Sequence, residues 1–287
     1  NLLARFISRA KADKRVILVD RTGWHHVEGY DVFVLPNETI APAGAPMVML
    51  RTTSTAGYAS AGSLEDWQNS VGRLASGQSV SQLAIAAALA GPLLYMANIP
   101  GCGIHFQAKS SKGKTTIALM AASVYGIGKE AGGFVRQWRA TANGLESTAA
   151  EATDTVLVLD EIGQIDGREF AQSIYSLANG VGKQRSDRNG DARASKTWRV
   201  LTISTGEMLI GDKIKEDGRS QVMAGQEMRL LDIQAVKNEE LGVFDSAGEF
   251  EDTGALINAI KSASTKNYGT AGPEFVRRLI DENVTPD

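Results

Sequence analysis

An α/β fold around a five-stranded parallel sheet, preceded by a small β-rich module and followed by a helical lid, is what this sequence predicts, on three observations. Residues 108–116 read AKSSKGKTT, a Gly/Ser-rich loop closing in Gly113, Lys114 and Thr115. Residues 155–161 read TVLVLDE, an apolar run tipped by two adjacent carboxylates. From Gly101 onward, continuous apolar runs alternate with amphipathic stretches, the rhythm of parallel strands covered by helices on both faces.

Taken in order, residues 1–62 form the first module. Its runs RVILVD, WHHVEGYDVFVLP and MVML, rich in Val, Ile, Tyr and Phe and separated by Gly, Pro and Asn, read as short strands. His25 and His26 are neighbours on one of them and so face opposite ways, which makes them structural rather than a shared metal site. Residues 63–100 read as a helical connector. Ser63 and Asp66 make a capping-box pattern ahead of Leu64, Trp67, Val71 and Leu74, and Gly77 closes that helix. Residues 74–108 carry no Asp, Glu, Lys or Arg. The apolar part of that stretch is nevertheless too short for the roughly 20 residues of a membrane span, and Gly91-Pro92 interrupts it, so a buried helix pair is expected.

Residues 101–235 form the core, with strands at 102–107, 134–138, 155–159, 198–204 and 229–234. One strand falls between the loop strand and the acidic strand, and another comes after the acidic strand, before Arg229. That is the layout of P-loop NTPases of the additional-strand, catalytic-glutamate type, AAA+-like in class. Between them a helix is specified by Asp166 as N-cap, Glu169 three residues on, Phe170, Ile174 and Leu177 on one face and Gly180 past its end. Residues 236–287 hold two amphipathic patterns, TGALINAIKSAS and PEFVRRLIDE, expected as the lid.

Composition narrows the function classes. The chain has 287 residues, 43% apolar and 22% charged, with a formal net charge of −3, so any nucleic-acid binding must come from a local basic patch. The single cysteine, Cys102, excludes an internal disulfide and fits a reducing, cytoplasmic setting. No secretory signal opens the chain, and a start at Asn1 suits a fragment of something longer.

The chemistry expected of the two motifs is nucleoside triphosphate hydrolysis with Mg2+. Backbone amides of Lys109, Ser110, Ser111, Lys112 and Gly113 would wrap the phosphates of ATP, with Lys114, Thr115 and Thr116 at the head of the following helix. Lys114 would reach the β and γ oxygens, and the Thr115 hydroxyl and Asp160 would hold the metal. Glu161 would orient and deprotonate the attacking water. Ala108 stands where a leading glycine is usual, which would strain the loop only if φ were positive there. Past the strand at 198–204, Ser204 and Thr205 rank equally as sensors of the γ-phosphate, followed by Glu207. Arg229 is placed to act as an arginine finger from a neighbouring subunit.

Between Asn179 and Trp198 runs GKQRSDRNGDARASKTW. Asn189-Gly190 is a strong hairpin signal, flanked by Lys183, Arg185, Arg188, Arg193 and Lys196 against Asp187 and Asp191. Such a hairpin would grip a phosphate backbone in the channel of a ring.

The runs GIHFQAKSSKGKTT, WRATANGLE, LVLDEIGQ, YSLANGVGKQR, WRVLTISTGE, AGQEMRLLDI and NYGTAGPEF together resemble the family known as domain of unknown function 927, whose members occur in phage, plasmid and cassette proteins, often with primase modules. Some are similar to MCM-like AAA+ helicases. The resemblance implies phosphate and metal roles for Lys114, Thr115, Asp160 and Glu161, a finger at Arg229 and a DNA-contacting hairpin at 183–196. It departs from the MCM pattern at the sensor, where Asn is usual, and a second sensing arginine is expected at Arg277 or Arg278. The implied function is an ATP-driven helicase or translocase on single-stranded or forked DNA, assembled as a hexameric ring in replication of a mobile genetic element, with a primase or other replication protein as partner and no membrane. The alternative is an ATP-dependent scaffold or regulator that binds nucleic acid or protein without translocation.

Overall fold

The structure, a computed structural model, describes residues 2, 5, 15–51, 57–183, 185–186, 192–193, 195–216 and 229–284, the residues of 185–186 and 192–193 by their backbone alone. The first strands are β1 (Ile17–Val19), β2 (Gly23–Val27), β3 (Tyr30–Val34), β4 (Thr39–Ile40) and β5 (Val48–Leu50). β2, β3 and β4 form an antiparallel sheet, while β1 pairs in parallel with β5. The turn from β2 to β3 needs two positive φ angles, and Glu28 (50°) and Gly29 (85°) supply them. His25 and His26 face apart as expected: His25 Nε2 bonds Arg21 O at 2.9 Å and His26 Nδ1 meets Asp31 Oδ1 at 2.8 Å.

These strands share a core with the later part of the chain, since Trp24, Phe33, Leu35 and Ile40 pack in one cluster with Phe106 and Ile117. A buried carboxylate holds the seam. Asp154 accepts from the Trp24 N–H at 2.9 Å and pairs with Arg199 Nε at 2.5 Å. Thr22 Oγ1 donates to the carbonyls of Glu151 (3.0 Å) and Thr153 (3.2 Å) beside it.

Leu64–Trp67, Gln68–Gly72 and Arg73–Ala75 run on as one helix, α1, with a π turn at its middle. Its capping box forms: Ser63 Oγ accepts from Asp66 N–H at 3.0 Å and Asp66 Oδ2 from Ser63 N–H at 2.8 Å. The uncharged stretch folds as α2 (Ser79–Ala90) and α3 (Leu93–Met96). Gly91 between them is required, because a Cβ there would lie 2.5 Å from Thr155 O. No helix of the described residues is long and apolar enough to cross a membrane.

The main sheet begins with β6 (Gly101–Gln107), followed by α4 (Lys114–Ala122), β7 (Arg136–Gln137), α5 (Ala142–Glu151), β8 (Val156–Asp160) and α6 (Gly167–Asn179). A two-strand hairpin, β9 (Arg185–Ser186) and β10 (Ala192–Arg193), precedes β11 (Val200–Gly206), α7 (Ile210–Lys215) and β12 (Leu230–Gln234). The sheet has the order β12-β6-β11-β8-β7 with every pair parallel. All five anticipated strands are present, but β7 holds two residues where five were expected. Phe134 N–H turns aside to Ile127 O at 2.9 Å, and buried Phe134 joins a ring cluster with Tyr58 and Tyr125 instead of extending the strand.

α6 has the anticipated ends: Asp166 Oδ1 accepts from the Arg168 N–H at 2.9 Å, and Gly180 closes it at φ 70°. After β12 come α8 (Thr253–Lys266) and α9 (Ala271–Asp281). Their joint packs beside the end of α4, where Gly269 N–H donates to Ser123 O at 2.7 Å and Gly272 N–H to Val124 O at 3.0 Å.

Candidate functional site

In a parallel sheet, ligands bind beyond the carboxyl ends of the strands, and here the ends of β6, β8 and β11 converge. Ala108 still belongs to the ladder, its N–H donating to Gly206 O at 3.0 Å, and its φ is not positive, so the loop tolerates a side chain there. The chain then turns through Ser111 (φ 60°) and Gly113 (φ 92°) into α4. The first amide of that helix to reach a carbonyl is that of Ile117, to Gly113 O at 3.3 Å. The amides of Lys114, Thr115 and Thr116 are thus left open at the positive end of a nine-residue helix. Thr116 itself is buried and faces the core.

Beneath this helix end five side chains meet. Lys114 Nζ lies 3.6 Å from Glu161 Oε2 and 3.3 Å from Glu207 Oε1. Thr115 Oγ1 lies 3.2 Å from Asp160 Oδ2. Glu161 follows the strand at φ 62° and ψ 82°, with its carboxylate accepting from the Gly163 N–H at 3.2 Å.

The structure separates the two sensor candidates. Thr205 Oγ1 donates to Asp160 Oδ1 and accepts from the Glu161 N–H at 3.2 Å, tying both acids to β11. Ser204, one residue earlier and on the opposite face, is fully buried. There the Trp138 Nε1–H donates to Ser204 Oγ at 2.9 Å, and Ser204 Oγ lies 2.8 Å from His105 Nδ1. His105 Nε2 lies 3.0 Å from Met208 O, which can only accept, so Nε2 carries the proton and Nδ1 accepts from Ser204. Burial pushes the His105 pKa down to about 4, and the ring is neutral. Sequence reasoning missed His105 and the role of Ser204 as its partner; strand alternation was the signal for the second.

A segment beyond β12 also packs on the loop. Val243 N–H donates to Lys112 O at 2.9 Å, and a Cβ on Gly113 would lie 2.8 Å from the Phe244 ring. Glu239 pairs with Lys112 at 2.8 Å and Lys109 at 3.9 Å, and the hydrogen bond from Lys112 holds its carboxyl below the usual range.

Other candidates lie away from this pocket. Arg229 stands just before β12, whose Leu230 is level with Gly103, four residues ahead of the strand end that leads into the loop. Its guanidinium stacks on Tyr175 at 4.8 Å. Arg277 pairs with Glu38 at 2.6 Å and Arg278 with Glu274 at 3.3 Å, neither with a pocket group.

The hairpin forms, with Arg193 level with Arg185 and Ala192 with Ser186. Its stem is fixed by Gly182 N–H donating to Lys196 O at 2.8 Å and Lys183 N–H to buried Glu146 at 3.2 Å. Lys183 is exposed, and Lys196 Nζ donates to Ser147 Oγ at 2.8 Å. Arg188, Asp187, Asp191 and the Asn189-Gly190 turn lie outside the described residues. Among the described residues no cluster of His, Cys, Asp and Glu suits a metal on its own. A magnesium ion arriving with a triphosphate needs few protein oxygens, and the hydroxyl–carboxylate pair of Thr115 and Asp160 fits that demand.

Residues 1–197 match the family described as "Domain of unknown function (DUF927)". No curated protein matches the chain. Among solved structures the chain is similar to one described as "SCCmec type IV Cch - active helicase", with a TM-score of 0.73 and 21% identity, covering 99% of this chain and 50% of that one. The chain thus spans about half the length of that protein, and at this identity the likeness speaks for the fold alone. A second, "The A form apo structure of NrS-1 C terminal region-CTR", aligns at TM-score 0.38 and 12% identity over 99% of this chain and 64% of that one, too low to bear on the argument.

Proposed function

Since the chain belongs to the DUF927 family, we propose that it is the ATP-hydrolysing part of a DNA helicase or translocase acting in replication of a mobile genetic element. The observation that carries this reading is the meeting of Lys114, Thr115, Asp160 and Glu161 under the open amides of α4, on a sheet ordered β12-β6-β11-β8-β7. The fold likeness to a cassette helicase supports it.

The residues divide the work by their chemistry. Lys114 brings positive charge to the β and γ phosphates of ATP, and the amides from Lys109 to Thr115 add donors around them. When bound, Mg2+ neutralises phosphate charge, with Thr115 and Asp160 as its protein-side partners. Glu161 accepts a proton from the attacking water, and its Gly163 contact fixes the carboxylate while Thr205 fixes its backbone. Lys109, Ser110, Ser111, Lys112, Gly113 and Thr116 complete the cradle.

The basic hairpin at 183–196 serves the DNA through Arg185, Arg188 and Arg193, with Lys183 and Lys196 beside them in the sequence. Arg229 serves the site of a neighbouring copy, which requires a ring, hexameric in this reading. Residues 1–62 and 236–287 are the accessory module and lid around a core at 101–235, and a primase or other replication protein is the expected partner. The experiment is strand displacement from forked DNA with ATP, alongside ATPase activity with and without single strands. Displacement that needs ATP and vanishes in Lys114→Ala upholds the proposal. ATPase activity stimulated by DNA without displacement would favour a non-translocating scaffold.

A further inference from the structure

The geometry points to Glu207 as a residue that competes with the substrate for Lys114, an inference that rests on the nucleotide-binding reading and adds a residue to it. The Lys114 ammonium is shut in, its side chain 8% exposed, between Glu207 at 3.3 Å and Glu161 at 3.6 Å. Glu161 is also held by Gly163. The Glu207 carboxylate has Lys114 as its ion-pair partner, and its side chain is 48% exposed.

The main chain on either side of that side chain is pinned. Glu207 O accepts from Gln107 Nε2 at 2.7 Å, and Met208 O accepts from His105 Nε2 at 3.0 Å. Gly206 brings the turn close, since a Cβ there would lie 2.4 Å from Ile162 Cγ1 in the turn after Glu161. The backbone is therefore fixed against the pocket while the carboxylate is free to swing to water. Terminal phosphate oxygens claim the same ammonium and are repelled by a carboxylate beside it, so nucleotide binding must displace Glu207. When phosphate leaves, Glu207 returns and gives the buried Lys114 a second counter-ion. Glu207 thus weakens nucleotide binding and favours release.

The test is titration of a fluorescent, non-hydrolysable ATP analogue with magnesium into wild type, Glu207→Gln, Glu207→Ala and Lys114→Ala. Both Glu207 variants are expected to bind about three- to fivefold tighter, the order of effect of removing one half-exposed charge. The KM for ATP should fall with that affinity while kcat does not rise, and Glu207→Asp, which keeps the charge, should stay near wild type. Unchanged or weaker analogue binding in Glu207→Gln and Glu207→Ala, with binding still abolished in Lys114→Ala, overturns the role of Glu207 alone. A wild type that takes no analogue overturns the nucleotide-binding reading and this inference together.

Discussion

Glu161 adopts φ 62° and ψ 82°, a backbone region that a residue with a Cβ enters at a cost of about 1–3 kcal/mol. The neighbouring bonds enforce it: its N–H reaches Thr205 and its carboxylate turns back to Gly163 N–H. In Glu161→Gln the shape is kept and the base is lost. ATP binding should persist while turnover falls by about 100-fold or more, and hydrolysis near the wild-type rate would remove Glu161 from the base role. Ser204 and Thr205, alike in the sequence, should part in their effects. Thr205→Val is expected to impair hydrolysis as well as stability, since it unties Asp160 and the Glu161 N–H from β11. Ser204→Ala leaves Trp138 Nε1 and His105 Nδ1 without their shared hydroxyl and should cost about 1–3 kcal/mol in denaturant melts.

His105 adds a pH dependence with a definite sign. Its pKa falls from the usual 6.5 to about 4 on folding, so the unfolded chain takes a proton that the folded chain refuses. Stability is therefore intact above about pH 6.5 and declines as pH drops toward 4, by up to about 3 kcal/mol. In His105→Gln that decline should be shallower across the same window; an unaltered pH profile of melting would show that other groups set it.

The elements owe their placement to contacts of very different range, and legibility in the sequence follows that range. β6, β8, β11 and β12 were readable because short stretches rich in apolar and β-branched residues are local signals, and α6 because its caps are written within it. β7 was readable only as a position, since its length is set by where Phe134 packs, against rings 76 and nine residues earlier in the chain. The Lys114–Asp160–Glu161 pocket followed from two motifs, and Glu207 was readable only as a place past the strand at 198–204, whereas the segment at 237–244 reaches the loop through folding alone.

Asp154 belongs at this scale as well, for it joins β2 to the strand before the acids. Asp154→Ala would leave Arg199 without its buried partner and the Trp24 N–H without an acceptor. A loss of about 3–5 kcal/mol is expected, with hydrogen exchange rising first in β2 and β3. Uniform exchange across the sheet instead would mean that the two parts unfold as one unit. The hairpin makes a prediction of another kind. Neutralising Arg185, Arg188 and Arg193 should weaken DNA binding and flatten its salt dependence by about one unit of slope for each phosphate no longer neutralised.

At the scale of the whole molecule, Arg229 and the pocket occupy opposite ends of the strands. From Leu230 to Gln234 β12 advances roughly 13 Å toward the carboxyl edge, so Arg229 cannot serve the phosphates above its own β6. It rests on a half-exposed Tyr175, with Leu231 also open to solvent on the edge strand. If it completes a site, that site belongs to a second copy, and turnover per chain should rise with protein concentration. Arg229→Ala should then bind ATP as wild type does and hydrolyse it on the order of 10³-fold more slowly. The decisive measurement mixes that variant with Glu161→Gln. Each is inactive alone, but a site built from the intact Glu161 of one and the intact Arg229 of the other has every group, so the mixture should regain part of the activity. Turnover independent of concentration, together with a mixture no more active than its components, would reduce Arg229 to a surface arginine stacked on a tyrosine.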